Sequence, residues 1–443
     1  MDMISRLYRG LLATFSLIGV LSNGFHAFGA EPEEFIAAAE WLETQQRQRL
    51  VPTDNIWWTV TGEQMAWMHK NVHQLFPTVN VYRGGQVSEL KTELDPAIAE
   101  TSVDTRNGIV SFDRFLSSDA TTTLGMVIVH KGKIVFESYP RMKAYEKPIY
   151  WSVAKVMPAL LIRIFEERGL VDTEEMIQHY IPELTASGFA GISVRNILDM
   201  ATGLDCQDEY TDRQSCYYQY SMAIGDGYRE EGAPDNPYDF LENLEVAKHA
   251  DQGQQFSYSG VNTFILAWLI EKISGESFQD TFTREVWRKI GAESDASFLA
   301  YRYGIPLSHG GFLSNMRDMA RFGLLFTPSY SVVSEEQIVS EETIDQLLEK
   351  PNPNLVRDDG SHNAAQWDYI DDDGFMKSRH ASYVKAALEA KSIMAEYLSM
   401  EMSSNSSFIL ESFGNEVAPP LTEAVKPLSI MDKAGKAVHE INN

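Results

Sequence analysis

"YWSVAKVMPALLIRIFEERGLVD", Tyr150 to Asp172, places Ser152 three residues before Lys155 and then runs apolar as far as Arg168 and Gly169. The run predicts a buried helix that opens at Ser152 and stops at the glycine. Residues three apart on a helix share a face, so the hydroxyl and the amine should lie together. Pro158, inside the run, predicts a kink or a carbonyl left to find another partner.

Upstream, "LGMVIVHKGKIVFESYP" from Leu124 gives two β-branched runs about Lys131 and Gly132, a hairpin signal. Downstream, about 186 to 345, helical segments alternate with polar loops. "VNTFILAWLIEKISGESF" sets Ile265, Leu266, Leu269, Ile270 and Ile273 on one face of an amphipathic helix ending at Gly275. "NMRDMARFGLLF" is another helix, after the turn "HGGFLS". Strand character returns at "AAQWDYIDDDGFMKS"; "YVKAALEAKSIMAEYLSMEM" reads as helix, and "SFILESF" as a late strand before an irregular tail. Residues 30–110 read as an N-terminal extension with helical pieces, its aromatics serving packing. The expected organisation is a signal segment over 1–29, that extension, an α/β domain from 111–185 and 346–443, and a mostly helical insertion over 186–345.

With 443 residues and 44% hydrophobic content, the chain can bury a large core, in one big domain or two closely joined ones. A formal net charge of −26 repels phosphate backbones and anionic membranes and argues against nucleic-acid partners. Arg6 and Arg9 precede the apolar run "LLATFSLIGVL", and "AFGA" offers Ala27 and Gly29 for cleavage, so export to the periplasm or medium is expected, with no stable membrane insertion after cleavage. The run is short for a span; an uncleaved anchor is the alternative. Cys206 and Cys216, in "CQDEYTDRQSC", leave a local disulfide and two free thiols both open. No cysteine spacing suggests a metal site, and the sequence leaves the oligomeric state open.

A serine hydroxyl is a poor nucleophile near neutrality and must have a base within reach. A helix beginning at Ser152 would favour negative charge developing there, and burial moves a lysine toward its neutral form. Spacing alone does not decide: Ser88 with Lys91 and Ser382 with Lys385 repeat it. Only Ser152 follows a hairpin and opens a long apolar helix, a rigid setting for a nucleophile. No G-x-S-x-G, H-E-x-x-H or P-loop pattern occurs. "DYIDDDG" puts Tyr369 and His380 where a calcium loop's first and last ligands belong, and reads as a charged turn.

"SVAK" at 152–155, followed by "ERGLVD…IPEL", resembles the serine β-lactamase and penicillin-binding superfamily, most of all its class C branch, which includes related esterases, D,D-peptidases and the 6-aminohexanoate-dimer hydrolase group. "VRNILDMATGL" is similar to its "LLxMTSGL" segment, "QQFSYSGVNTFILAWLIEKISG" to its "YSN" or "YSS" segment, and "GGFLSNMRDMARFG" to a further block, in the family's order. The resemblance implies an α/β (α+β) fold in which an antiparallel sheet flanked by helices receives an inserted helical domain, with the site in the cleft between them. It implies Ser152 as nucleophile, with Lys155 and Tyr258 moving the proton. An ordinary phenol titrates near pH 10 and must have a cation beside it to work near neutrality.

Two departures stand out. Gly260 falls where the family has Asn or Ser, so a side-chain contact is expected to be missing unless Asn262 replaces it. The third motif, K-T-G or H-x-G in the family, is nearest to "KSRHAS", with His380 in position and Ser382 in place of the glycine, where a side chain obstructs close approach to the strand. His309, before Gly310 and Gly311, reads as a loop residue. The expected reaction is acyl-enzyme hydrolysis of a small carboxylic ester or amide, of the esterase or 6-aminohexanoate-dimer hydrolase type, requiring no cofactor. A β-lactamase or D,D-peptidase is one alternative; a non-catalytic protein binding a ligand or partner in the same cleft is another.

Overall fold

The computed structural model describes residues 63–105, 108–118, 123–227, 230–349, 352–371, 376–378 and 406–411. The expected signal segment, His380, Ser382 and the helix expected over 383–402 lie outside these residues.

The expected hairpin forms from Gly125–His130 and Lys133–Ser138, paired antiparallel from Met126 opposite Ser138 to His130 opposite Lys133. Lys131 and Gly132 both take positive φ, 49° and 72°, the pairing that a two-residue turn matched to strand twist requires. Ser406–Glu411, the late strand, pairs antiparallel along all of Gly125–His130, and Lys91–Thr92 adds a short parallel edge at Lys133 and Ile134. Gly125 to Val129 are all buried, the mark of a strand covered on both faces. Met126, Ile128 and Phe136 meet Ile98, Phe112, Phe115 and Leu116 on one side. Residues of the expected N-terminal extension thus contribute directly to this core.

The "YWSVAK" stretch is not α-helix from its serine. Trp151–Lys155 is a 3₁₀ turn and the α-helix is Val156–Glu167. Pro158 consequently falls in the first α-turn, where an N–H has no intrahelical acceptor to lose, and the expected kink has no cause. Gly169 (φ 68°) ends the run as expected.

The second long helix, Gly260–Ser274, ends at Gly275 (φ 70°). It is not amphipathic over most of its length: every residue from Gly260 to Ile270 is buried. A helix apolar on all sides belongs in the middle of a structure, and this one packs against both Val156–Glu167 and Val194–Leu198.

A smaller antiparallel sheet, Thr78–Val81, Ala296–Leu299 and Phe312–Leu313, fixes the serine segment. Tyr150 donates its backbone N–H to the carbonyl of Phe312 at 2.8 Å, and Ile149 bridges Leu313. The Phe312 ring lies 5.0 Å from Phe298, 5.3 Å from Trp287 and 6.0 Å from Phe282. Strands His362–Ala364, Trp367–Ile370 and Met376–Lys377 form a third sheet in the stretch read as strand.

Phe312 is fully buried at the centre of this ring cluster, so Phe312→Ala should lower the unfolding free energy by about 3–5 kcal/mol. Urea denaturation measures this, and a loss below about 1 kcal/mol would mean the cluster does not hold the serine segment.

Candidate active site

Trp151, immediately before the serine, has φ 42°, an uncommon conformation for a bulky residue and one that persists only where its surroundings hold it. The hold is visible: Tyr150 is tied to Phe312, and the Trp151 ring meets His69 edge-on at 5.3 Å. The sharp turn delivers Ser152 into a 3₁₀ segment, in which residues i and i+3 eclipse. Lys155 therefore stacks directly over Ser152, its Nζ 3.4 Å from Oγ.

Lys155 is 1% exposed. Its amine also donates to the His309 carbonyl at 2.9 Å and lies 4.0 Å from Asp208 Oδ2. The Tyr258 ring centroid is 4.8 Å from the same nitrogen, within cation–π range. Ser152, Lys155 and Tyr258 are brought together from segments a hundred residues apart.

Tyr258 is held by its neighbours. Ser257 N–H donates to the Met200 carbonyl at 2.7 Å, Asp208 N–H to the Tyr258 carbonyl at 3.1 Å, and Ser259 Oγ–H to the Cys206 carbonyl at 2.5 Å. The two cysteines form the disulfide Cys206–Cys216, which closes the loop between them. Within that loop Asp208 accepts from the Gly260 N–H at 2.6 Å and from the Tyr210 hydroxyl at 3.0 Å. The first N–H of the long buried helix is thus satisfied by a carboxylate, the charge its positive end favours.

Asp208, Tyr210, Tyr217, Asp226 and His309 line a small cavity of about 30 Å³ beside Ser152 and Lys155, room for about one water. Of the five, the sequence singles out only His309, as a loop residue. Asp208 and Tyr210 fall in the stretch read as polar and loop-like, where no periodicity marks a residue whose importance comes from what lies opposite it, and Tyr217 lies in the helix Cys216–Ile224.

His309 does lie in a turn, as the sequence suggests, but its burial and contacts are not legible in the sequence. It is 3% exposed, its carbonyl serves Lys155, and its Nδ1 lies 3.2 Å from the Tyr220 hydroxyl. Burial, and then the charge of Lys155, hold its ring well below the usual imidazole range. Burial, and then Asp208, push the phenols of Tyr210 and Tyr217 up, keeping both as hydrogen-bond donors near neutrality.

At Gly260 the structure gives a reason for the departure from the family pattern. A Cβ there would lie 2.6 Å from His309 Cδ2 and 3.1 Å from Tyr217 Cε2. The position has no room for the family's Asn or Ser, because His309 and Tyr217 occupy that space. Asn262 is buried in the first turn of the helix, and its Nδ2 has no partner among the described residues. Of "KSRHAS", Ser378 is described, and its Oγ–H donates to the Ser152 carbonyl at 3.4 Å. Ser88, the competing serine, is structural: its carbonyl accepts from Arg321 at 2.7 Å.

A hairpin-centred sheet, a strained turn presenting a serine and lysine, and a tyrosine at the head of a buried helix define a β-lactamase-like architecture. Residues 112–375, more than half of the chain, match the Beta-lactamase family, and the chain belongs to that family. It is 25% identical over 301 residues to the 6-aminohexanoate-dimer hydrolase of Paenarthrobacter ureafaciens, covering 67% of this chain and 73% of that one. It is 24% identical over 140 residues to a penicillin-binding protein of Bacillus subtilis, covering 32% of this chain and 28% of the other. A solved structure described as a 6-aminohexanoate-dimer hydrolase of Bacillus anthracis by assignment superposes with a TM-score of 0.67 at 19% identity, over 89% of this chain and 96% of that one. The protein is a member of a β-lactamase-fold hydrolase family.

Two measurements check this geometry. Gly260→Ala should destabilise by about 1–3 kcal/mol, since either the His309 ring or the helix end must move; an unchanged denaturation midpoint would contradict the close contact. The His309 ring takes up its proton more readily when unfolded, near 6.5, than when folded. Its contribution to stability is therefore complete above that pH and is lost as pH falls below it. Relative to His309→Asn, the native protein should lose about 1.4 kcal/mol more per pH unit below 6.5, read from denaturation curves at several pH values.

Proposed function

We propose that the protein is a serine hydrolase that cleaves a small carboxylic ester or amide through an acyl-enzyme on Ser152. The observation carrying this reading is the 3.4 Å approach of Lys155 Nζ to Ser152 Oγ with the Tyr258 ring 4.8 Å from the same amine. The His309 carbonyl, the serine oxygen and the nearby Asp208 carboxylate all favour the charged amine. An ammonium cannot accept a proton, so Tyr258 enters the step as a phenolate stabilised by the Lys155 ammonium, takes the proton that leaves Ser152 and becomes a neutral phenol. Oγ adds to the carbonyl carbon while backbone N–H groups, that of Ser152 among them, carry the oxyanion. Tyr258 then returns the proton to the leaving alcohol or amine, and water releases the acyl group by the same steps.

The inclusion of amides among the substrates is supported by the similarity to the 6-aminohexanoate-dimer hydrolase of Paenarthrobacter ureafaciens, whose match covers two thirds of this chain. The rival reading, a binder without chemistry, rests on the altered third motif, with Ser382 in place of the glycine, and on Gly260.

Incubation with a fluorophosphonate followed by peptide mass spectrometry separates the two. A label on the Ser152 peptide is expected; well-folded protein that stays unlabelled would favour the binder. On any ester or linear amide that is turned over, Ser152→Ala should abolish hydrolysis, and Tyr258→Phe should lower kcat about 10²–10⁴-fold.

A further inference from the structure

The loop closed by Cys206–Cys216 meets the Tyr258 segment at one end and a buried helix at the other. Cys216 is the first residue of the helix Cys216–Ile224, in which Tyr217, Tyr218 and Tyr220 are all buried. Aromatic contacts fix that helix in place. The Tyr220 hydroxyl lies 3.2 Å from His309 Nδ1, and the Tyr217 ring meets His309 edge-on at 6.3 Å. Cys206, ten residues earlier in the chain, stands two positions before Asp208. The bond between the sulfurs therefore ties the start of the loop to an element that the core already holds.

What is held at that start bears on the Ser152 site. The Cys206 carbonyl accepts from Ser259 Oγ–H at 2.5 Å, and Asp208 donates its N–H to the Tyr258 carbonyl at 3.1 Å. Asp208 Oδ1 accepts from the Gly260 N–H at 2.6 Å, while Oδ2 lies 4.0 Å from Lys155 Nζ. Further along, bonds turn inward on the loop. Glu209 accepts from the N–H groups of Thr211 and Asp212, and Asp212 accepts from those of Gln214 and Ser215. A loop braced on itself shifts as a body once its tie is cut, and Asp208 shifts with it.

Two magnitudes separate this role from a general prop of the fold. The closure entropy removed by a disulfide grows with loop length, so a bond across ten residues constrains the unfolded chain less than a long closure would. The hairpin sheet and the Phe312 ring cluster are built from other segments. A displacement of about 1 Å in a reacting constellation, by contrast, costs up to about a hundredfold in rate. We propose that Cys206 and Cys216 are positioning residues for the reaction: their bond sets Asp208 against Lys155 and the Gly260 N–H, and without it Ser152 loses reactivity while the fold remains. This rests on the hydrolase reading of Ser152.

The test compares the rate at which a fluorophosphonate labels Ser152 in the full chain and in the Cys206→Ser/Cys216→Ser variant, with circular dichroism and the urea midpoint as measures of fold. Labelling should slow by about ten- to a hundredfold in a variant whose dichroism stays native. Wild type treated with dithiothreitol, which cyclises to its own disulfide as two thiols replace the bond, gives the same comparison should the variant not fold. Asp208→Ala should also label slowly, and adding the two serine substitutions to it should cost no more than about a further twofold, because both changes remove one interaction. Labelling at the wild-type rate in the variant would overturn the proposal and leave the hydrolase reading standing. Wild type that stays unlabelled would remove that reading and the proposal with it. Loss of native dichroism in both the variant and the reduced protein, or a full second tenfold loss on top of Asp208→Ala, would overturn the positioning role through Asp208.

Discussion

A lysine amine almost wholly withdrawn from water is the constraint around which this site is arranged. Burying an ammonium without partners costs several kcal/mol, and the cost is tolerable only if acceptors are already in place. For Lys155 they come from three directions: the serine one 3₁₀ turn earlier, the His309 carbonyl and the Asp208 carboxylate. Two of these acceptors lie far along the chain from the serine turn, so the amine is served only when the Cys206–Cys216 loop and the segment before Phe312–Leu313 are both packed against it. The tyrosine ring beside the amine completes its surroundings.

The same logic explains why so many small, local devices converge here. The positive φ of Trp151 aims the serine, and the small aromatic sheet anchors that turn through the Tyr150 to Phe312 bond. The disulfide, together with Ser259 and Asp208, fixes the segment carrying Tyr258. Gly260 lets the helix end come within contact of His309 and Tyr217. None of these is a large energy by itself; together they hold three side chains to a geometry that flexible loops could not keep.

The helix that starts with the serine turn also carries Arg163, so one rigid element links two polar clusters of different character. At Ser152 the buried cation is answered by protein groups, Asp208 and the His309 carbonyl. At Arg163 the partners are Glu166 and Gln346, both reached through Nη1. The loop after Val194–Leu198 connects the two, since Asp199 faces a cleft lined also by Arg163 and Arg195 while the next residue, Met200, accepts the backbone bond from Ser257.

Much was settled by local sequence. The Lys131–Gly132 hairpin, the glycine stops at Gly169 and Gly275, the late strand at Ser406–Glu411 and the family resemblance of "SVAK" and "QQFSYSG" follow from turn chemistry, periodicity and ordered blocks, all of which act between near neighbours. The 3₁₀ form of the serine turn, the burial of Gly260–Ile270 on every side, the space that makes Gly260 obligatory and the roles of Asp208 and His309 were not legible. These depend on which distant backbone or ring stands within a few ångströms. Residue order carries no direct mark of such distances, and only the packed tertiary structure decides them.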